Sequence, residues 1–355
     1  MPDSTHTTSP STTTPSGPRV YLDGCFDLFH VGHANALRQA RLQGAYLVAG
    51  SHSDEEIARA KGKTVFPASE RYALIAACKW VDEFIPDAPY SPNVPFLCAH
   101  NITYALHGSD ITLDEEGNDA YAEVKARGMY KEIERTQGVS TTDIINRMMG
   151  SSAGADSPYT EASPFIASVS RLAAFASPVP PSPPVVYCEG VWDVFNCGHL
   201  EFLKAAALLG PVVCGVLSDE EARALQGEAR PITGLHERAM GCLQCRYVSD
   251  VILAPPCPNA AFLKRLGVSH VLVGNSTCRN CNVPAFEEDV RYADAKALGI
   301  FSVINISGPF AGYTTNTVVE RVLSNRDLFE KRNTEKGLKE LRRIKANNVR
   351  DSGEL

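Results

Sequence analysis

The chain nearly writes one block of sequence twice. "RVYLDGCFDLFHVGH" at 19–33 returns as "VVYCEGVWDVFNCGH" at 185–199, an offset of 166 residues. The order continues through "SDEE" at 53–56 and 218–221, "ERYALIAACKWVDEFI" and "ERAMGCLQCRYVSDVI", "YAEVKARG" and "YADAKALG", and "STTDIINRM" with "TTNTVVERV". A period this long is far above that of a solenoid and marks a duplicated domain. At 355 residues there is room for two domains that each bury a core. Composition shifts place the bounds: a Ser/Thr/Pro-rich tail of disordered type at 1–17, a first domain over 18–150, a Pro/Ser-rich linker over 151–184, a second domain over 185–325 and a charged helix or tail over 326–355.

Within the first block, short β-rich runs alternate with helical patterns: "RVYLD", a helix at 33–43, "AYLVAGS", helices at 54–60 and 69–79, "EFIPDAP", a helix at 94–100 and "ITYALHGS". That alternation predicts an α/β domain, a parallel sheet with helices on both faces. Ligands of such sheets sit at the carboxyl ends of the strands. His30 and His33 lie at one of those ends, where "DLFHVGH" opens a helix. A helix N-terminus is an anion site, and Gly24 and Gly32 allow close backbone approach. Two imidazoles there can donate to phosphate oxygens and stabilise developing charge. A bare His-x-Gly-His is also compatible with one histidine packed in the core and the other capping the turn.

With 44% apolar and 21% charged residues, the composition is that of a globular protein. A formal charge of −7 argues against broad nucleic-acid binding, which calls for a basic patch or stripe. The first residues have no apolar core of the secretory kind, so the expected compartment is reducing and cytoplasmic, and the eleven cysteines are read as thiols. No apolar run approaches the roughly 20 residues of a membrane span. "KGKT" at 61–64 ends like a P-loop, but Ile57 stands where its first glycine must be, and no Gly-x-Gly-x-x-Gly follows the first strand.

Strand, turn, "DLFHVGH", the following "KGKTVFPASERYAL" with Lys61, and the later "ERTQGVSTTDII" together resemble the cytidylyltransferase family of the nucleotidyltransferase superfamily. The likeness covers 19–150 strongly and 185–325 more weakly, and implies two tandem Rossmann-like nucleotidyltransferase domains. It implies that His30 and His33 contact the triphosphate of CTP, with Lys61 and Arg135 adding positive charge for the leaving pyrophosphate. It also implies substrate contacts from Cys25, Phe26, Asp27, Gly32, the segment His107-Gly108-Ser109-Asp110, and Ser140, Thr141 and Thr142. Whether Asp27 orders the turn or helps place a metal stays open. Magnesium is expected with CTP, held mainly by substrate oxygens. A phosphomonoester is already mostly dianionic near neutral pH, so its oxygen attacks without a general base and no covalent enzyme intermediate is expected.

The acceptor is the finer expectation. The segment at 108–143 looks like the family type that takes phosphoethanolamine, with phosphocholine and glycerol 3-phosphate as alternatives, and a non-catalytic nucleotide-binding regulator as the rival from another class. Tyr121 and Asp110 are candidates for the amine end, with Tyr121 equally readable as a packing residue.

The second block keeps Gly198 and His199 but has Asn196 for the first histidine, Gln226 and Glu228 for Lys61 and Lys63, and "SGPFAGYTTN" in place of "RTQGVSTT". The expectation is a silent domain that braces or regulates the first. Cys242/Cys245 and Cys278/Cys281 could be zinc half-sites, with buried thiols and a loose loop as the favoured reading. The linker run Phe165, Ile166, Val169, Leu172 and Phe175 and the basic tail helix raise weak association with a membrane surface, peripheral at the endoplasmic reticulum. Packing of the linker on a domain and a solvated tail are the favoured reading. A homodimer stays open.

Overall fold

A computed structural model of the chain describes residues 17–108, 112, 117–150, 165–274 and 289–351, with side chains described as far as 338. Asp110, Cys278, Cys281 and residues 1–16 lie outside the described residues. The first domain runs β1 (Arg19–Gly24), α1 (Val31–Leu42), β2 (Tyr46–Ser51), α2 (Asp54–Lys61), α3 (Ala68–Ala76), β3 (Glu83–Ile85), α4 (Val94–Ala99), β4 (Tyr104–Gly108), α5 (Ala122–Ala126), β5 (Tyr130–Ile133) and α6 (Thr141–Met148). After α7 (Val169–Phe175), the second runs β6 (Val185–Gly190), α8 (Cys197–Ala206), β7 (Val212–Val216), α9 (Asp219–Gln226), α10 (Leu235–Leu243), β8 (Asp250–Leu253), α11 (Ala260–Leu266), β9 (Val268–Gly274), α12 (Ala293–Ala297), β10 (Phe301–Ile304) and α13 (Thr315–Leu323). A long helix, α14 (Arg326–Asp351), follows.

Each domain is a five-stranded parallel sheet, ordered β3-β2-β1-β4-β5 and β10-β9-β6-β7-β8. The first strand of each repeat is therefore central. Its alternation distributes function by face: Val20 and Leu22 enter the main core, whereas Tyr21 points to the other side, against Val48, Leu97, Ala105 and Tyr121. Asp23 shares the face of Tyr21. Gly50 makes room for this tyrosine, since a Cβ there would lie 2.3 Å from the Tyr21 hydroxyl oxygen. Helix α1 buries Val31, Ala34, Leu37 and Ala40, an i, i+3 stripe that seats it on the sheet.

The two domains pack about a pseudo-twofold that passes near Cys78 and its repeat counterpart Cys245, which face each other across an isolated antiparallel bridge. Lys79 N donates to Gln244 O and Arg246 N to Ala77 O, both at 2.9 Å. Arg147 reaches across to buried Glu237 with two bonds of 2.8 and 3.0 Å, and its counterpart Arg321 reaches back to buried Glu70 with two of 2.9 Å. Such reciprocal contacts are those of a symmetric dimer interface, here built within one chain.

The linker packs on the domains in part: Phe165 and Phe175 are buried, with the Phe175 ring edge-on to Trp80 at 4.7 Å, and Leu172 is partly buried, whereas Ile166 and Val169 are exposed. The solvated-tail expectation is corrected. Phe329 of α14 is buried, and Arg332, Asn333 and Lys336 bond to the first domain. A single apolar anchor among charges gives almost no amphipathic signal in sequence. Among the described residues, no helix is long and apolar enough to cross a membrane.

Candidate active site

The capping role and the donor role of the histidines coexist in one ring. His30 is the N-cap of α1, and its Nδ1 accepts the Gly32 N–H at 3.1 Å; His33 Nδ1 accepts the His30 N–H at 3.4 Å. With Nδ1 the acceptor in both, the proton belongs on Nε2 of both. His30 Nε2 donates to Thr141 Oγ1 at 3.3 Å, because that hydroxyl already donates to Asp27 O at 3.1 Å. Among the described residues no hydrogen bond takes His33 Nε2. The rings stack at 3.8 Å, with Phe29 stacked on His33 and Phe26 edge-on to it. Burial, and then the neighbouring imidazole and the charges of Arg147, Lys336 and Arg135, hold His30 well below its usual range. Burial, with Lys336 and Lys61, lowers His33 to about 3. At neutral pH the pair is therefore uncharged and offers N–H donors.

Gly32 has another task than admitting a ligand. A Cβ there would lie 2.9 Å from His30 Cε1 and 3.3 Å from Val139, so the glycine is what lets the His30 ring fold back over the turn. Asp27 is buried and orders the turn: its carboxylate accepts Val65 N (3.1 and 3.0 Å) and Phe66 N (2.8 Å). Those bonds anchor the loop after Lys61, whose ammonium sits 5.3 Å from the Tyr90 ring. Phe26 and Leu28 hold positive φ, the strained turn that aims this segment. Fully buried Arg71 ties Cys25 O, Ser51 Oγ, His52 O and Asp54 together with bonds of 2.7–2.9 Å, so it locks the ends of β1 and β2. Burial pushes the Cys25 thiol up to about 11. Ser140 caps α6 through Asp143 N at 3.1 Å, Thr142 receives the Lys336 ammonium at 3.2 Å, and Arg135 is exposed on the loop after β5.

A buried polar cluster lies on the Tyr21 face. Tyr121 is buried and donates a short hydrogen bond to Asp23 Oδ1. The other oxygen, Asp23 Oδ2, and the Tyr21 hydroxyl are buried without a hydrogen-bond partner. His107 lies tilted against Tyr121 at 4.9 Å between ring centroids, its Nδ1 donating to Gly108 O and its Nε2 accepting from Thr112. Burial raises Asp23 from 3.8 to about 6, against the pull of Tyr121, His107 and Lys61. Asp23 was not among the residues singled out from sequence, though "YLDG" and "YCEG" keep an acid at that register in both repeats.

In the second repeat the chain fills both sites itself. Asn196 reproduces the structural bonds of His30: Oδ1 accepts Gly198 N at 3.0 Å and Nδ2 donates to Thr315 Oγ1 at 3.4 Å. The Tyr313 carbonyl is seated on the turn, only 1.9 Å from where a Cβ of Gly198 would be. Glu189, the counterpart of Asp23, accepts from Tyr187 at 2.9 Å and is paired with Arg291. The thiols of Cys242 and Cys245 are buried in the core, where burial pushes Cys245 up to about 12. Among the described residues there is no group of three His, Cys, Asp or Glu side chains that could hold a metal ion.

The cytidylyltransferase-like family model matches residues 21–147 and again 187–296. The ethanolamine-phosphate cytidylyltransferase of Mus musculus is 38% identical, the match covering 92% of this chain and 91% of the mouse protein. That of Arabidopsis thaliana is also 38% identical, covering 90% and 83%. Choline-phosphate cytidylyltransferase 2 of Arabidopsis thaliana is 49% identical but covers only 37% of this chain and 44% of its own. Two family matches in tandem, with relatives alike along nearly the whole length, place the chain in the cytidylyltransferase-like family, among its ethanolamine-phosphate members.

Proposed function

We propose that the first domain transfers the cytidylyl group of CTP to phosphoethanolamine, giving CDP-ethanolamine and pyrophosphate. The observation that carries the acceptor is the buried, unpartnered oxygen of Asp23 beside the Tyr21 hydroxyl. A primary ammonium has three N–H donors to satisfy such a group. A quaternary ammonium has none, and glycerol 3-phosphate brings no cation. The second repeat supplies the comparison from within the molecule, since there the Arg291 guanidinium occupies the acid of the equivalent cluster.

The chemistry follows from the arrangement. A phosphate oxygen of the acceptor forms a bond to the α-phosphorus of CTP as the bond from that phosphorus to the bridging oxygen breaks, and the electron pair leaves with pyrophosphate. His33 offers its neutral Nε2–H to the phosphate oxygens, His30 turns its own Nε2–H from Thr141 Oγ1 to one of them when CTP binds, and Lys61 and Arg135 add positive charge. Holding the ammonium at Asp23 fixes the acceptor, so that attack becomes a positioned, effectively unimolecular step. Magnesium, when bound, would neutralise triphosphate charge. Its ligands would be substrate oxygens and water, since Asp27 directs both carboxylate oxygens to backbone N–H groups.

The test is pyrophosphate release by the purified chain with CTP and magnesium, comparing phosphoethanolamine, phosphocholine and glycerol 3-phosphate. Selective release with phosphoethanolamine supports the proposal. Equal or greater release with phosphocholine would refute the Asp23 argument, and none with any acceptor would leave a nucleotide-binding regulator.

A further inference from the structure

Helix α14 lays a stripe of four residues against the first domain: Phe329, Arg332, Asn333 and Lys336, at i, i+3, i+4 and i+7. Phe329, 1% exposed, is the anchor. One turn on, Arg332 donates to Lys63 O at 2.8 Å, with its Cδ 3.7 Å from where a Cβ of Gly62 would be. Asn333 then donates to Asn146 at 2.8 Å, and Lys336 to Thr142 Oγ1 at 3.2 Å. The bonded partners lie on the two segments that flank the histidine pair: the loop after Lys61 and helix α6. Lys63 also reaches back to Asn325 at 3.2 Å, and Arg321 takes Val65 O at 2.8 Å, so that loop is held from the second domain at several points.

We propose that α14 completes the triphosphate site of the first domain, with Lys336 a direct phosphate ligand and Arg332 the residue that positions the Lys61 loop. The inference rests on the reading of the His30–His33 pocket as the triphosphate site. Two features support a ligand role over a purely structural one. Lys336 bonds Thr142 beside Thr141, the hydroxyl that His30 itself contacts. Its charge is felt by both imidazoles, as is expected of a cation facing the same pocket. The sign of the charge decides between completion and inhibition, because a basic helix beside a triphosphate pocket attracts the substrate and is not displaced by it. The second domain then has a concrete task, to carry and anchor the helix that finishes the first domain's site.

The experiment uses the full chain with Lys336→Gln, Lys336→Arg, Arg332→Gln, His33→Ala and, as a control on the exposed face, Lys331→Gln. CTP binding is measured by calorimetry without acceptor, KM for both substrates by pyrophosphate release, and folding by thermal denaturation. Lys336→Gln is expected to weaken CTP binding about tenfold while the KM for phosphoethanolamine stays within about twofold and Tm is unchanged. Lys336→Arg should restore most of the loss. Arg332→Gln should lower turnover at saturating CTP more than it weakens CTP binding. Unchanged CTP affinity in Lys336→Gln, alongside its loss in His33→Ala, would overturn the inference while the pocket assignment stands. A rise in turnover in Lys336→Gln would overturn it in favour of restraint by the helix. CTP binding retained in His33→Ala would instead refute the reading of the pocket on which the inference rests.

Discussion

Asp23→Asn should stabilise the unliganded protein while removing most of its activity toward phosphoethanolamine. Asp23 is 4% exposed, receives Tyr121 on one oxygen, and has only the neighbouring Tyr21 hydroxyl near the other, without a formed hydrogen bond. Burial lifts it from 3.8 to about 6, so in the folded state the proton is held more tightly than in the unfolded chain. A raised carboxyl contributes stability that is fully present below 3.8 and lost as the pH rises through about 6. A shift of about two units at 1.36 kcal/mol each means that ionised Asp23 costs the unliganded fold about 3 kcal/mol at neutral pH. Asparagine keeps an oxygen for Tyr121 and removes the charge, so Tm above pH 7 should rise by several degrees, on the order of 2–4 °C for each kcal/mol. Conversely, a charge-assisted hydrogen bond to the substrate ammonium is worth about 1.5–3 kcal/mol, so kcat/KM for phosphoethanolamine should fall ten- to about 100-fold. Calorimetric titration with CTP should be unaffected. Wild-type kinetics with phosphoethanolamine would refute the assignment of the amine site, and a lower Tm would refute the claim that this carboxylate is strained.

Four further outcomes follow from the geometry. His30→Asn should fold normally, since Asn196 makes the same structural bonds in the second repeat, yet lose about 10²–10³ in kcat, read by pyrophosphate release with circular dichroism as the folding check. Arg321→Ala leaves buried Glu70 without its guanidinium partner and frees Val65 O; chemical denaturation should show a loss of about 3–5 kcal/mol, and a loss under 1 kcal/mol would contradict the burial argument. Arg291→Ala should destabilise the second domain through unpaired Glu189 and leave kcat nearly unchanged; a large kcat loss with Tm intact would mean that the second site is not silent. His33, lowered to about 3, is protonated in the unfolded chain below about 6.5 but not in the fold. Stability is therefore lost as pH falls through that window, and the Tm–pH slope between 3 and 6.5 should flatten in His33→Ala.

The duplicated α/β pattern was legible because strand alternation and helix stripes are local periodicities. The helix at 33–43 and the strand before it appear where the apolar spacing puts them, extended to Val31 by a cap that no propensity specifies. The histidine pair could also be found, since its spacing and the turn around it are contiguous in the chain. Asp23 could not, because its importance is an absence: one oxygen left without a partner by Tyr121, which arrives from 98 residues away. Arg71 and Glu70 carried a faint signal, in that both repeats keep Glu-Arg while their polar sites diverge. That retention marks scaffold, as the matching bonds of Arg238 to Asp219 and of Arg147 to Glu237 demonstrate.

The sequence by itself determined that there are two copies, that each is a parallel sheet with helices, and that only one keeps both histidines, because these depend on residue type and short spacing. Tertiary structure alone decided three things. It set the second copy's sites, filled by Tyr313 and Arg291, and it set the interface that pairs the copies about Cys78 and Cys245. It also placed the last helix, whose polar stripe lies beside the first copy's histidine turn. Each depends on groups distant in the chain meeting in space, where burial and hydrogen-bond satisfaction, not local propensity, choose the partner.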